Sequence, residues 1–174
     1  NINLGDTYSN QKLYGKALRH YIKAISLNKG SFEGYSSIIL MLQNINKLAK
    51  AIKWAKRAVE KLPDNHEAHF SLGSLLNRAA YYVNAEKHLQ KSLKLNPSSK
   101  STQRIYGFNL CGQGMLKLGI KKLKAASRLN PFSKLYHSSL LFHSNYSPDL
   151  SAKAIFDYYQ RFDAKCGKKV EPKW

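Results

Sequence analysis

The residues with the most chemistry to offer are six histidines and two cysteines, and their spacing gives none of them a reaction. His66 and His69 are three apart at the start of a helix and could share a metal ion, but no third ligand follows at a fixed spacing. A surface or capping role is expected for both. His137 and His143, six apart, do not align on one helical face. Cys111 and Cys166 form no CxxC pair, so no disulfide framework or zinc knot is suggested, and Cys111 is expected to pack as a small apolar group. No Ser-His-Asp or Cys-His set can be argued from local spacing. Nor does any Gly-rich phosphate loop or strand-helix alternation occur. The sequence therefore names no catalytic residue, no metal and no cofactor, and the remaining chemistry is recognition by amide, hydroxyl, guanidinium and aromatic groups.

What positions those groups is a period of 34 residues. Ala17, Ala51, Ala85 and Gly119 share one column, as do Gly5, Ile39, Gly73 and Gly107, then Tyr8, Leu42, Leu76 and Leu110. A fourth column runs from Lys29 to Pro63, Pro97 and Pro131. The small residues let one helix approach its neighbour closely, and each proline stops a helix because it lacks the amide donor and clashes with the preceding turn. This pattern resembles the tetratricopeptide repeat. The resemblance implies an all-α, right-handed α-solenoid of helix-turn-helix repeats with a C-terminal capping or transition helix. Residues 1–132 would hold four repeats, at about 1–29, 32–63, 66–97 and 100–131. Second helices are expected at about 14–27, 48–61, 82–95 and 116–129. Residues 133–166 would supply a partial fifth repeat helix and the capping helix, and 167–174 a linker.

After Pro131 the period fails. Ser151 reads as the N-cap of a helix from Ala152 to about Lys165, with Ile155, Phe156, Tyr159 and Phe162 as its apolar face. The stretch Leu135–Cys166 carries Asn145 and Tyr146, then Pro148, Asp149 and Leu150, then Phe156, Arg161 and Phe162. It resembles the segment that joins the repeats to the catalytic region in O-linked N-acetylglucosamine transferases and the related SPINDLY proteins. That resemblance implies a parent polypeptide that glycosylates protein Ser or Thr from a nucleotide-sugar donor. Its catalytic domain would lie beyond residue 174, and the present segment would recruit substrates.

In the repeat family the first helices line a concave face. On that face the expected peptide-binding side chains are Asn3, Asp6, Ser37, Phe70, Ser74, Asn77, Arg104 and Phe108, whose polar members can satisfy an extended backbone. Two elaborations known in relatives are not expected. An asparagine ladder is matched only by Asn3, with Ser37, Ser71, Ile105 and Ser139 on the other rungs. A carboxylate clamp finds only Ile2 with Asp6, Ser36 with Leu40, and Phe70 with Ser74.

Charge supplies the other reading. The net charge is +19, from 29 Lys and Arg against 10 Asp and Glu, and over half of the basic residues fall on the second helices. One reading is a Lys-rich solvated back. The alternative is a footprint for nucleic acid or anionic membrane, on a stand-alone scaffold. No aromatics interleave with these lysines in a stacking pattern, and Tyr8, Tyr21 and Tyr106 are expected to pack in repeat cores. The longest apolar run, Ile38–Leu42, is far too short to span a membrane. With two cysteines and no visible leader, an intracellular, cytoplasmic setting is expected. The chain begins at Asn1 and enters the first repeat late, so its N-terminus is expected to be a cut.

Overall fold

The computed structural model of the protein describes residues 1–167, and among them every regular element is an α-helix. The chain divides into two compact units, Asn1–Pro97 and Ser98–Trp174. The first unit holds α1 (Ile2–Asn10), α2 (Tyr14–Leu27), α3 (Glu33–Asn44), α4 (Leu48–Lys61), α5 (His66–Arg78) and α6 (Tyr82–Leu95). The second holds α7 (Lys100–Gly112), α8 (Leu116–Leu129), α9 (Lys134–Ser144) and α10 (Ala152–Cys166). Among the described residues no helix is long and apolar enough to cross a membrane.

One turn geometry closes all four hairpins. Lys12, Asn46, Ala80 and Gly114, spaced by the period, adopt positive φ of 60°, 55°, 60° and 82°. The next amide in each case reaches back five residues: Leu13 donates to the Tyr8 carbonyl at 2.9 Å, Lys47 to Leu42 at 2.8 Å, Tyr81 to Leu76 at 2.9 Å and Met115 to Leu110 at 2.9 Å. This left-handed cap satisfies the orphan carbonyls of the ending helix and reverses the chain in three residues. The column Tyr8, Leu42, Leu76 and Leu110 is thus the set of carbonyls on which each hairpin turns. Only Gly114 occupies the left-handed position without a Cβ penalty.

Within each hairpin the two helices meet at a pair of positions 16 residues apart, where bulk and absence of bulk are matched. A Cβ on Gly73 would stand 2.8 Å from Leu89 Cγ, and one on Gly107 would stand 2.8 Å from Leu123 Cγ. At Gly5 it would run into the Tyr21 ring. The second hairpin inverts the arrangement, with Ile39 at the glycine position and Ala55 opposite in register, both buried. The helix-to-helix distance is therefore kept by moving the side-chain volume from one helix to the other.

Helix ends are closed by side chains. Asn65 accepts from the Ala68 amide at 2.8 Å, and Ser151 accepts from the Ala154 amide at 3.2 Å, the N-cap expected for α10. His69 Nε2 bonds the Pro63 carbonyl at 2.9 Å, and His137 Nε2 bonds the Pro131 carbonyl at 2.9 Å. Both histidines are buried, so these two are interior latches that tie each closing proline to the following first helix. His69 is therefore not the surface residue expected of it.

The second unit is built on Cys111, Ile120, Leu123 and Leu140, with Phe108, Leu116, Leu150 and Tyr158 packed against them. Helix α9 packs on α7 and α8, and α10 packs on α9. The expected buried face of α10 is met in part: Ile155 and Phe162 are half-buried, Phe162 with its ring centre 6.4 Å from that of His137. Phe156 and Tyr159 are 59% and 45% exposed, whereas Tyr158 reaches the core and Cys166 is buried. Asn145 Nδ2 donates to Tyr159 Oη at 2.8 Å outside the core. Both cysteines are buried and free. Burial pushes the Cys111 thiol up to about 11, so it stays protonated as packing material.

Candidate functional site

The expected peptide-binding residues separate by unit. In the first, Asn3 is exposed on α1 and Ser37 half-buried on α3, and both line one cavity of about 660 Å³ with Ser36 and Glu33. On α5, Phe70, Ser74 and Asn77 succeed one another at helical spacing and are half-buried. Asn77 is already engaged in an interaction of its own. Asp6 is committed inside its hairpin, accepting from Tyr21 Oη at 2.7 Å.

In the second unit the structure brings Arg104 and Phe108 together and extends them into a row of rings. The Arg104 guanidinium carbon lies 5.4 Å from the Phe108 ring centre and 5.6 Å from that of Tyr136. Phe108 meets His143 edge-on at 4.7 Å, His143 meets Phe142 edge-on at 5.1 Å, and Phe142 lies 5.3 Å from Tyr146. These arrangements have the edge-to-face geometry that aromatic quadrupoles favour. Phe142 and Tyr146 remain 58% and 65% exposed, so the far end of the row is open to a partner. His143 is oriented by a 3.0 Å contact from Nδ1 to the Ser139 carbonyl.

Arg104 is electrostatically underserved. Burial lowers its pKa, while the neighbouring Tyr136 raises it through charge and a hydrogen bond. Its Nε is buried with no hydrogen-bond partner. A half-buried guanidinium with a donor to spare gains more from an acceptor than one in water. The sequence does not single out Tyr136, Phe142, His143 or Tyr146 as binding residues. Their signal is an aromatic recurrence along α9 and its C-terminal turn, and without the α7 and α9 packing it reads as ordinary core.

The basic second helices also differ from expectation, because aromatics do pair with their cations. Lys16 sits 5.5 Å from the Tyr8 ring centre, Arg57 4.8 Å from Trp54, Lys122 5.9 Å from Tyr106 and Lys124 5.3 Å from Tyr158. In three of these four pairs the aromatic and the cation sit on different helices, which no count along a single helix reveals. Tyr21 is buried as expected, at 2% exposure.

The histidines do not assemble a metal site: among the described residues no group of three or more metal-ligating side chains comes together. His66 and His69 part company, His66 Nε2 lying 3.4 Å from Asn96 Nδ2 while His69 Nδ1 faces His88 Nδ1 at 3.1 Å. His69 donates its Nε2 proton to Pro63, so its neutral Nδ1 accepts, and His88 must be the donor of the pair. A proton on His69 Nδ1 would set two N–H groups against each other. Burial first, then His69, Lys56 and Lys87, lower the His88 pKa. A base with a lowered native pKa leaves the unfolded chain holding more protons below its ordinary value, so stability is complete above that value and declines as pH falls through it. Between about pH 7 and pH 5 the melting temperature is expected to drop more for the parent chain than for His88→Gln, which keeps a donor for His69 but does not titrate. Equal drops in thermal scans would refute this role for the pair.

A family model of the tetratricopeptide repeat matches residues 1–30. Over 101 residues the chain is 31% identical to protein O-mannosyl-transferase TMTC1 of Mus musculus, a stretch covering 56% of this chain and 11% of that protein. The chain thus spans only a small part of the curated relative that it matches. Among solved structures, MamA protein superposes with a TM-score of 0.78 at 18% identity, covering 99% of this chain and 93% of that one. YrrB, described as a TPR protein with an unusual peptide-binding site, gives 0.71 at 18% identity, over 94% and 83% of the two chains. The thermophilic TPR protein TTC0263 of Thermus thermophilus gives 0.72 at 17%, over 97% and 91%. At such identities the likeness concerns the fold, and the fold of this chain is that of tetratricopeptide-repeat solenoids.

Proposed function

We propose that this chain is a protein-interaction module that holds an extended peptide segment on its first helices, and that it is the recruiting arm of a protein O-glycosyltransferase. The observation that carries the binding role is the row from Arg104 through Phe108, His143 and Phe142 to Tyr146, whose outer rings are exposed. Such a row takes an apolar or aromatic side chain against its exposed rings and a backbone carbonyl or carboxylate toward Arg104. In the first unit Asn3, Ser37, Phe70, Ser74 and Asn77 are proposed as peptide contacts of that unit by itself, with Asp6 acting through Tyr21 rather than on the peptide.

The glycosyltransferase part rests on two resemblances: the segment from Asn145 to Phe162, and the similarity to a relative whose name is protein O-mannosyl-transferase. They agree on sugar transfer to protein and differ in the sugar. In this reading residues 1–132 form four repeats and 133–166 a partial repeat and capping helix, in the cytoplasm; the linker expected at 167–174 lies, from 168 on, outside the described residues. Coding DNA that continues past Trp174 into several hundred residues of alternating strands and helices would support it, and an immediate stop codon would end it.

The binding role is tested by selecting peptides on the chain from a random displayed library and measuring the best by fluorescence anisotropy. Removing an anchor at the centre of an interface costs about 2 kcal/mol or more, so Phe142→Ala and Arg104→Ala are each expected to weaken capture by roughly thirtyfold. If both variants bind the selected peptides as the parent does, the first-helix face is not the site.

A further inference from the structure

A second cavity, of about 370 Å³, lies in the second unit among α8, α9 and α10, and shares no lining residue with the aromatic row. Lys124 and Arg128, four apart on α8, line it together with Arg161 and Lys165, four apart on α10. Leu140 and Leu141 of α9 give it an apolar floor. None of its nine lining residues is acidic, and among the described residues no ion pair joins these four cations to a carboxylate.

Like charges four apart on one helix repel, and two such pairs aimed into one cavity repel further. Four positive charges thus line one cavity that has no carboxylate among its lining residues. Lys124 is additionally held in place by the Tyr158 ring, 5.3 Å from its amine, which leaves the charge at the cavity edge rather than free to swing away. Two guanidinium forks match the geometry of a phosphoryl group better than that of a single carboxylate, and a dianion answers more of the local charge. The volume falls within the range of small-ligand sites, roughly 300–1,000 Å³.

We propose that this cavity is a binding site for organic phosphate monoesters, with the phosphoryl group held by Lys124, Arg128, Arg161 and Lys165 and the organic body beside the half-buried Tyr158 ring. It is separate from the proposed peptide face and does not depend on it. The chemistry has two sources, a phosphotyrosyl side chain of a partner protein or a free nucleotide.

The test is calorimetric titration of the whole chain with a tyrosine-phosphorylated peptide, its unphosphorylated form, adenosine monophosphate and inorganic phosphate. At least one ester is expected to bind more tightly than inorganic phosphate, and which one binds identifies the source. Loss of one charge-assisted hydrogen bond should weaken it roughly tenfold or more, so Arg128→Ala and Arg161→Ala are each expected to do so. Lys117→Ala, at an exposed cation of α8 outside the cavity, should leave it unchanged, which separates loss of the site from a general loss of positive charge. Circular dichroism verifies that the variants remain folded. The proposal is overturned if neither ester binds, if the unphosphorylated peptide binds as well as the phosphorylated one, if inorganic phosphate equals the esters, or if the folded arginine variants bind like the parent.

Discussion

Gly73→Ile is expected to destabilise the first unit by about 3 kcal/mol or more, and Leu89→Ala in the same chain is expected to return much of that loss. The cost arises because a Cβ at Gly73 meets Leu89 Cγ at 2.8 Å and Leu89 Cδ2 at 3.0 Å, and an isoleucine adds three further carbons in the same place. By itself Leu89→Ala removes a side chain with 0% exposure and leaves a cavity, a loss of about 2–5 kcal/mol. Combined, the two changes rebuild at residues 73 and 89 the arrangement already present at Ile39 and Ala55, where both residues are buried. The Ala85 carbonyl, 3.2 Å from the new Cβ, is backbone and sets a residual penalty. Urea denaturation of the parent, both single variants and the double variant gives the coupling energy directly. A favourable coupling of about 2 kcal/mol is expected, and a double variant no better than the sum of the singles would contradict the idea of exchanged volume.

Tyr21→Ala is expected to cost about 3–5 kcal/mol, because the ring occupies the space that Gly5 leaves and is only 2% exposed. Tyr21→Phe keeps the ring and removes only the 2.7 Å hydrogen bond to Asp6, whose carboxylate is itself exposed, so a loss nearer 1 kcal/mol is expected. The pair also has a pH signature. Burial, and then the hydrogen bond and charge of Asp6, push the Tyr21 phenol from 10.0 up to about 12. An acid with a raised native pKa holds its proton longer when folded, so the stabilisation is complete below pH 10 and is lost as pH rises toward about 12. Thermal scans across that window should show the parent losing its advantage over Tyr21→Phe. A constant difference between the two would mean that the phenol is not protected by the fold.

These two predictions mark where reading the sequence stops. The period located the second helices, Tyr14–Leu27, Leu48–Lys61, Tyr82–Leu95 and Leu116–Leu129, because helix starts and stops depend on local backbone bonds and on prolines a few residues away. It marked Ala17, Ala51, Ala85 and Gly119 as positions of close approach, and the structure adds Gly5, Gly73 and Gly107. The period did not say what approaches, since Tyr21, Ala55, Leu89 and Leu123 share no single residue type across the column, and only their volumes relate them to the opposite helix.

The same limit governs the candidate sites. Arg104 and Phe108 were legible because they are four apart on one first helix, but the row to Tyr146 depends on α9 packing against α7. Asp6 lay on the right column and is turned to Tyr21 by a hydrogen bond across 15 residues. His69 found His88 rather than His66, its neighbour in sequence, because a first and a second helix bring those two rings to 5.3 Å.

The helical repeat and the charge were therefore decided by residue type and spacing alone, both of them properties of short-range backbone geometry and composition. The pairing of side chains across helices, the face that α10 buries and the cation-lined cavity were decided only in three dimensions. Arg161 and Lys165 line the same cavity as Lys124 and Arg128. Rotation of a helix about its axis is fixed by the volumes it meets, and those volumes lie on other segments of the chain.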